Sequence, residues 1–320
     1  MQPGTRTLTL VIALLFSTLS VASRGPAVRD YPVERVADDV YVIHGPLGKP
    51  SPENQGFMNN PAFVVTREGI VVIDPGSSVQ TGEMLLRAIA KVSGQPVVAV
   101  FNTHIHGDHW LGNQAIRTAY PDVQIYGHPK MIALIESGAG HDWVSLLERL
   151  TDGQTNGTGV TPPNKAVDHG DMFAYGGLTF SIHHYGKAHT TSDIMIEIPE
   201  RSITFLGDNV LFNRVPRLDH GDIQGNLEAC TRIMETGSKR YVPGHGPTGD
   251  ATVPETFRRY LEILHTTVKK YYNEGLSDYA MKDKVAKALA DYAGWSGFEE
   301  QLGKHISLAY LQIEEAEFSR

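Results

Sequence analysis

Apolar positions in this chain fall into short, nearly continuous runs separated by stretches with helical spacing. Residues 40–44, 62–66, 70–74 and 97–101 are apolar enough throughout to predict strands, the last of them buried. Between the last two, residues 81–92 place Met84, Leu85, Ala88 and Ile89 at the three-to-four-residue spacing of one helix face, and Gly94 follows as a stop. Strand, helix, strand in that order predicts a βαβ unit with a buried parallel pair. A helix over 111–119, a strand over 123–127 and a helix over 129–136 extend it. A second series follows, with strands over 178–184, 194–198 and 202–206, a helix over 227–236 and a strand over 240–242. Three helices complete the chain, and in the first of them Phe257, Leu261, Leu264, Val268 and Tyr272 form one apolar stripe of core-packing type. Two halves, each of strands then helices, suit a folded-over sandwich.

Two stretches break the pattern. Residues 45–61 are rich in Gly, Pro and Asn and read as a functional or mobile loop. Residues 137–164, with Gly, Thr and Pro concentrated over 152–163, read as an insertion or lid rather than a domain linker. At the start, Arg6, an apolar run over 8–19 and the small-residue region Val21, Ala22, Ser23 have the order of a secretory signal peptide, and the run is short for a bilayer span. The expectation is a signal peptide over 1–23, a main domain over 24–250 and a helical extension over 251–320 packed on the same domain. The mature chain then begins near Ser23 or Arg24, carries no membrane span, and resides in the periplasm or outside the cell.

Composition narrows the partners. A charged fraction of 20% and a hydrophobic fraction of 41% over 320 residues fit an ordinary globular protein, and a net charge of -8 without a basic cluster excludes nucleic acid as the main partner. Cys230 is the single cysteine, so no intramolecular disulfide forms. The expected partner is a small-molecule substrate; the oligomeric state is not readable.

The chemistry is concentrated in His104-Ile105-His106-Gly107-Asp108-His109, directly after the strand over 97–101. Alternate residues of an extended backbone point the same way, so His104 and His106 face one ion, while a turn at Gly107 swings Asp108 and His109 toward a second. Neutral nitrogens mixed with a carboxylate oxygen suit Zn²⁺. Further candidates stand at later strand ends: His189, Asp208 after Gly207, and His245 between Gly244 and Gly246. His128 and His169 read as structural, and Trp110 as helix packing. One of His183 and His184 is expected to face the core and the other solvent. His220, in a polar segment beyond Asp208, is a candidate substrate contact.

Asp74, then His104, His106, Asp108 and His109, then His189, Asp208 and His245, resemble in identity and order the marker segments of the metallo-β-lactamase superfamily, over roughly residues 40–248. The resemblance implies an α/β fold, a four-layer αβ/βα sandwich with metals at one edge between two sheets. It assigns one zinc to His104, His106 and His189, a second to Asp108, His109 and His245, the bridge to Asp208, and a supporting role to Asp74. It implies a hydrolase that turns a metal-activated hydroxide on an ester, thioester, lactone or lactam, with Asp108 a ligand that also relays a proton. Asp208-Asn209 stands where one lactamase subclass has Cys followed by Lys, and the glutathione-binding signature of glyoxalase II is not recognisable over 255–320. The chain is most similar to exported zinc hydrolases associated with sulfur-oxidation and quinoprotein systems. The rivals are a β-lactamase proper and a persulfide dioxygenase with one iron on His104, His189 and Asp208.

Overall fold

The computed structural model describes residues 23–319, so the signal peptide read over 1–23 lies, but for Ser23, outside the described residues. Their strands form two sheets. The first contains β1 (Glu34–Ala37), β2 (Val40–Val42), β3 (Ala62–Thr66), β4 (Gly69–Ile73), β5 (Val97–Phe101), β6 (Gln124–Gly127) and β7 (Lys165–Ala166), side by side in that order. The β1 to β4 part is an antiparallel meander, and β4, β5, β6 and β7 run parallel. The second sheet has the order β12-β11-β10-β9-β8, built from β8 (Met172–Tyr175), β9 (Leu178–His183), β10 (Met195–Ile198), β11 (Ile203–Leu211) and β12 (Arg240–His245). Only β11 and β12 pair in parallel there.

The continuous apolar runs exist because both faces of the central strands are covered. Val71, Ile73, Ala99 and Phe101 point inward to Phe180, Ile182, Ile196 and Phe205 of the other sheet. Their neighbours Ile70, Val72 and Val100 point outward to Met84, Leu85 and Ile89 of α1 (Val79–Val92). Ser78 caps that helix by accepting from the Thr81 N–H. Three helices occupy the middle of the chain around the first sheet: α2 (Gly107–Trp110), α3 (Asn113–Ala119) and α4 (Pro129–Leu134). The second sheet is covered by α6 (Ile223–Met234), α7 (Thr252–Asn273), α8 (Lys282–Ala288) and α9 (Phe298–Phe318). In that layer Phe257, Leu261, Leu264 and Val268 are buried against Leu206 and Val210. The layers are therefore helix, sheet, sheet, helix, with the C-terminal helices part of the outer core.

Three departures from the sequence reading bear on function. β11 continues through Gly207 and Asp208 to Leu211, because its pairing with β12 persists from Gly207–Pro243 to Leu211–His245. Asp208 and His245 thus sit within strands, on a stretch where the register shifts on both sides of Gly207, and a sequence reader sees a glycine and a charge there and ends the strand early. The stretch over 137–164 is not wholly irregular: it contains α5 (Gly140–Leu150), joined to α4 through a π turn with Gly138 at φ 115°. Finally β1 and β7 are short and half-polar, and β8 (Met172-Phe173-Ala174-Tyr175) is a four-residue apolar strand whose side chains are exposed or half-buried, so none of the three stands out as a buried apolar run.

Candidate metal centre

The candidate residues converge at one edge of the sandwich, where β4, β5, β11 and β12 all end. His104 follows β5, and His106 is the extended residue that precedes α2. Asp108 and His109 occupy the single turn of α2 and are turned away from His106 by Gly107. Asp208 and His245 come from β11 and β12, and His189 from the loop before β10. Two groups result. One possible ligand atom from each of His104, His106, His189 and Asp208 lies within 4.8 Å of the others, and the same holds for Asp108, His109 and His245.

Asp208 stands between the groups. Its Oδ2 is 3.4 Å from His189 Nε2 and 3.9 Å from His104 Nε2, while its Oδ1 is 3.1 Å from His109 Nε2 and 3.4 Å from His245 Nε2. Asp108 Oδ2 lies 3.2 Å from His245 Nε2. His106 presents Nδ1, 2.9 Å from His189 Nε2.

Outer hydrogen bonds set which nitrogens face inward. His109 Nδ1 donates to Asp74 Oδ2 at 2.7 Å, leaving Nε2 for the centre. The Thr103 hydroxyl donates to the same Asp74 oxygen at 2.7 Å and so accepts from His104 Nδ1 at 3.0 Å. His245 Nδ1 donates to the Met58 carbonyl at 2.7 Å. His104 Nε2 is buried and has no hydrogen-bond partner among the described residues, a lone pair aimed at the middle of its group. The turn geometry is equally specific. A Cβ on Gly244 would collide with Asp208 Oδ1, and Gly207 holds φ +52° with Thr103 against it.

Burial holds the His104 and His106 rings neutral, and repulsion from positive charge on the neighbouring imidazoles, His109 for His104 and His189 for His106, adds to that effect. Burial likewise lowers His189 to about 4. His109 is the exception: burial opposes its protonation, but the carboxylates of Asp208, Asp108 and Asp74 raise its proton affinity well above the ordinary value. Burial opposes the ionisation of Asp208, and His245 and His109 outweigh it and hold the carboxyl far below its usual range. Without a metal, then, one proton on His109 supplies the positive charge that the carboxylates require. Neutral imidazoles and ionised carboxylates are the ligand forms of a divalent cation, so the donor set fits such ions.

The centre forms the floor of a cavity of about 610 Å³ reached by His106, Asp108, His189 and Asp208. His220 also lines it, with its ring 6.2 Å from that of His106. The other histidines lie elsewhere. His183 Nε2 donates to the Glu197 carboxylate at 2.9 Å and His184 Nδ1 donates to the Asp193 carbonyl at 2.7 Å, and both are half-buried rather than split between core and solvent. Trp110 is buried and donates to the Ile105 carbonyl at 2.8 Å. Trp143 and Arg214 are among the cavity residues that the sequence reading did not single out. The signal for Trp143 was present, since Trp143, Leu146, Leu147 and Leu150 have helical spacing.

A family model described as the metallo-beta-lactamase superfamily matches residues 55–245. The chain belongs to the metallo-β-lactamase superfamily. It is 22% identical over 250 residues to metallo-beta-lactamase IND-1 of Chryseobacterium indologenes, covering 73% of this chain and 89% of that protein. It is 24% identical over 204 residues to a hydroxyacylglutathione hydrolase of Synechococcus sp., covering 58% of this chain and 76% of that one. Among solved structures, the stereoselective inverting sec-alkylsulfatase Pisa1 from Pseudomonas sp. is similar in fold, with a TM-score of 0.70 and 15% identity over 88% of this chain and 50% of that one. This superfamily member is a metal-dependent hydrolase; its substrate is a separate question.

Proposed function

We propose that this superfamily member is an exported hydrolase working with two zinc ions, one held by His104, His106 and His189 and one by Asp108, His109 and His245, with Asp208 shared between them. The observation that carries this reading is the orientation of Asp208, whose two oxygens face different histidine groups. Bound there, such a pair supplies Lewis acidity to a substrate oxygen and makes water acidic enough to serve as nucleophile near neutral pH. Asp208 holds the two groups in register. Asp108 faces the cavity beside His245, placed to hold a proton briefly between an attacking water and a leaving group. Asp74 and Thr103 fix the rings. No covalent nucleophile from the chain is needed, and Cys230 is buried, with its thiol pushed up to about 12 by that burial.

A complete second group, Asp108, His109 and His245, favours a paired centre over a mononuclear iron oxygenase, which uses three ligands and leaves this group without a role. Export rests on the signal-like order of residues 1–23. No helix among the described residues is long and apolar enough to cross a membrane. The test is metal analysis combined with a panel of thioesters, esters, lactones, lactams and phosphoesters. Zinc with acyl-ester or thioester turnover supports the reading; one iron per chain with oxygen consumption on persulfides overturns it.

A further inference from the structure

The face of α5 that carries Trp143, Leu146, Leu147 and Leu150 follows the i, i+3, i+4, i+7 spacing of an apolar helix stripe, and all four residues line the cavity. Such a stripe ordinarily turns into a core. Here only Leu147 is buried, and Leu150 remains 40% exposed. The stripe starts at the metal centre itself, because the Trp143 ring lies 5.0 Å from that of His106. The other side of the cavity is cationic. Arg217 is neutralised by Asp219 at 2.6 Å and Lys49 by Glu300 at 2.5 Å. Arg214 and Lys304, which also line the cavity, form no ion pair among the described residues. Arg214 Nη1 instead reaches His245 Nδ1 at 2.7 Å, the same nitrogen that bonds the Met58 carbonyl at 2.7 Å. Arg214 is half-buried and, with Lys304, gives the cavity two cations free of a direct carboxylate pair among the described residues, placed for an anion to meet.

We propose that α5 is the specificity wall for an acyl substrate that carries a straight apolar arm on one side of its scissile bond and an acidic group on the other. The arm lies along Trp143, Leu146 and Leu150, and the acid group meets Arg214 and Lys304. This rests on the hydrolase reading for where the scissile bond sits. It assigns the arm to an element that the sequence presents only as an insertion.

The test uses zinc-loaded protein and N-acylglycines from acetyl to octanoyl, whose amide resists hydrolysis, with binding followed by titration calorimetry. Affinity should rise about two- to fourfold per added methylene until the arm passes Leu150, as expected for apolar surface leaving water. The matching N-acylglycinamides, with a neutral head, should bind about tenfold or more weakly. Leu150→Gln, at an exposed position, should flatten the chain-length gradient while leaving acetylglycine affinity and zinc content unchanged; Leu146→Gln is the second variant. Affinity independent of chain length, a gradient unaltered in both variants, or equal binding of the amides would overturn the proposal. Turnover of the acyl panel is a separate readout. A chain-length gradient without turnover on any substrate leaves the wall standing and removes the hydrolase reading, while turnover with a flat gradient does the reverse.

Discussion

Asp74 Oδ2 accepts hydrogen bonds from both His109 Nδ1 and the Thr103 hydroxyl, each at 2.7 Å, and Thr103 in turn bonds His104 Nδ1. One carboxylate oxygen therefore orients a ring in each histidine group, the first directly and the second through one hydroxyl. Asp74 holds this position from the end of β4 in a left-handed backbone conformation, φ +49°, which Asp tolerates better than most residues.

Asp74→Asn keeps the size and removes the charge. Metal affinity should fall about 10- to 100-fold, the usual cost of losing an outer partner of a ligand. Chelator competition reads it directly, and an unchanged affinity would mean that the rings hold themselves.

The candidate site was far more legible than the frame that carries it. Histidines and aspartates at strand ends are chemically conspicuous, and His104, His106, Asp108, His109, His189, Asp208 and His245 do converge in space. Strand limits were less visible, because β11 runs on through Gly207 and Asp208 under the control of pairing with β12, a non-local contact. α5 was hidden for a different reason: it begins at Gly140, two residues after Gly138, and its apolar face serves a cavity instead of a core. Arg214 lies in the polar segment 213–222 beyond Asp208 but was not singled out there, since its significance comes from lying against His245, distant in sequence.

Gly244→Ala tests how tightly Asp208 is held. An added methyl at 244 must displace Asp208 or the β11 backbone at Gly207. The variant should fold, with far-UV circular dichroism unchanged, yet bind metal more weakly and lose most turnover. Full activity in this variant would show that Asp208 has room to spare.

His305 gives a pH dependence remote from the metals. It is buried between the Tyr260 hydroxyl at Nδ1, 2.8 Å, and the Pro216 carbonyl at Nε2, 2.9 Å, and burial lowers it to about 4. The unfolded chain takes up this proton near the ordinary value of 6.5, whereas the folded chain refuses it until about 4. Stability from the neutral ring is therefore complete above about 6.5 and is lost as pH falls toward 4, by about 3 kcal/mol. Urea denaturation of metal-free wild type and His305→Gln at pH 7 and pH 5 should show the gap between them narrowing at the lower pH. Curves that stay parallel would place the acid sensitivity elsewhere.

For the amino terminus, mass spectrometry of protein recovered from the periplasm or medium should find a chain beginning near Ser23 or Arg24. A mature species that still begins at Met1 would remove the proposed export route.

The most direct test of the paired centre is metal content per chain in wild type and Asp208→Ala, measured by plasma mass spectrometry after gel filtration. Two zinc ions in the wild type, falling to one or none in the variant with turnover abolished and the fold intact, is the result this account predicts. Retention of both ions by Asp208→Ala, or a single iron in the wild type, would contradict it.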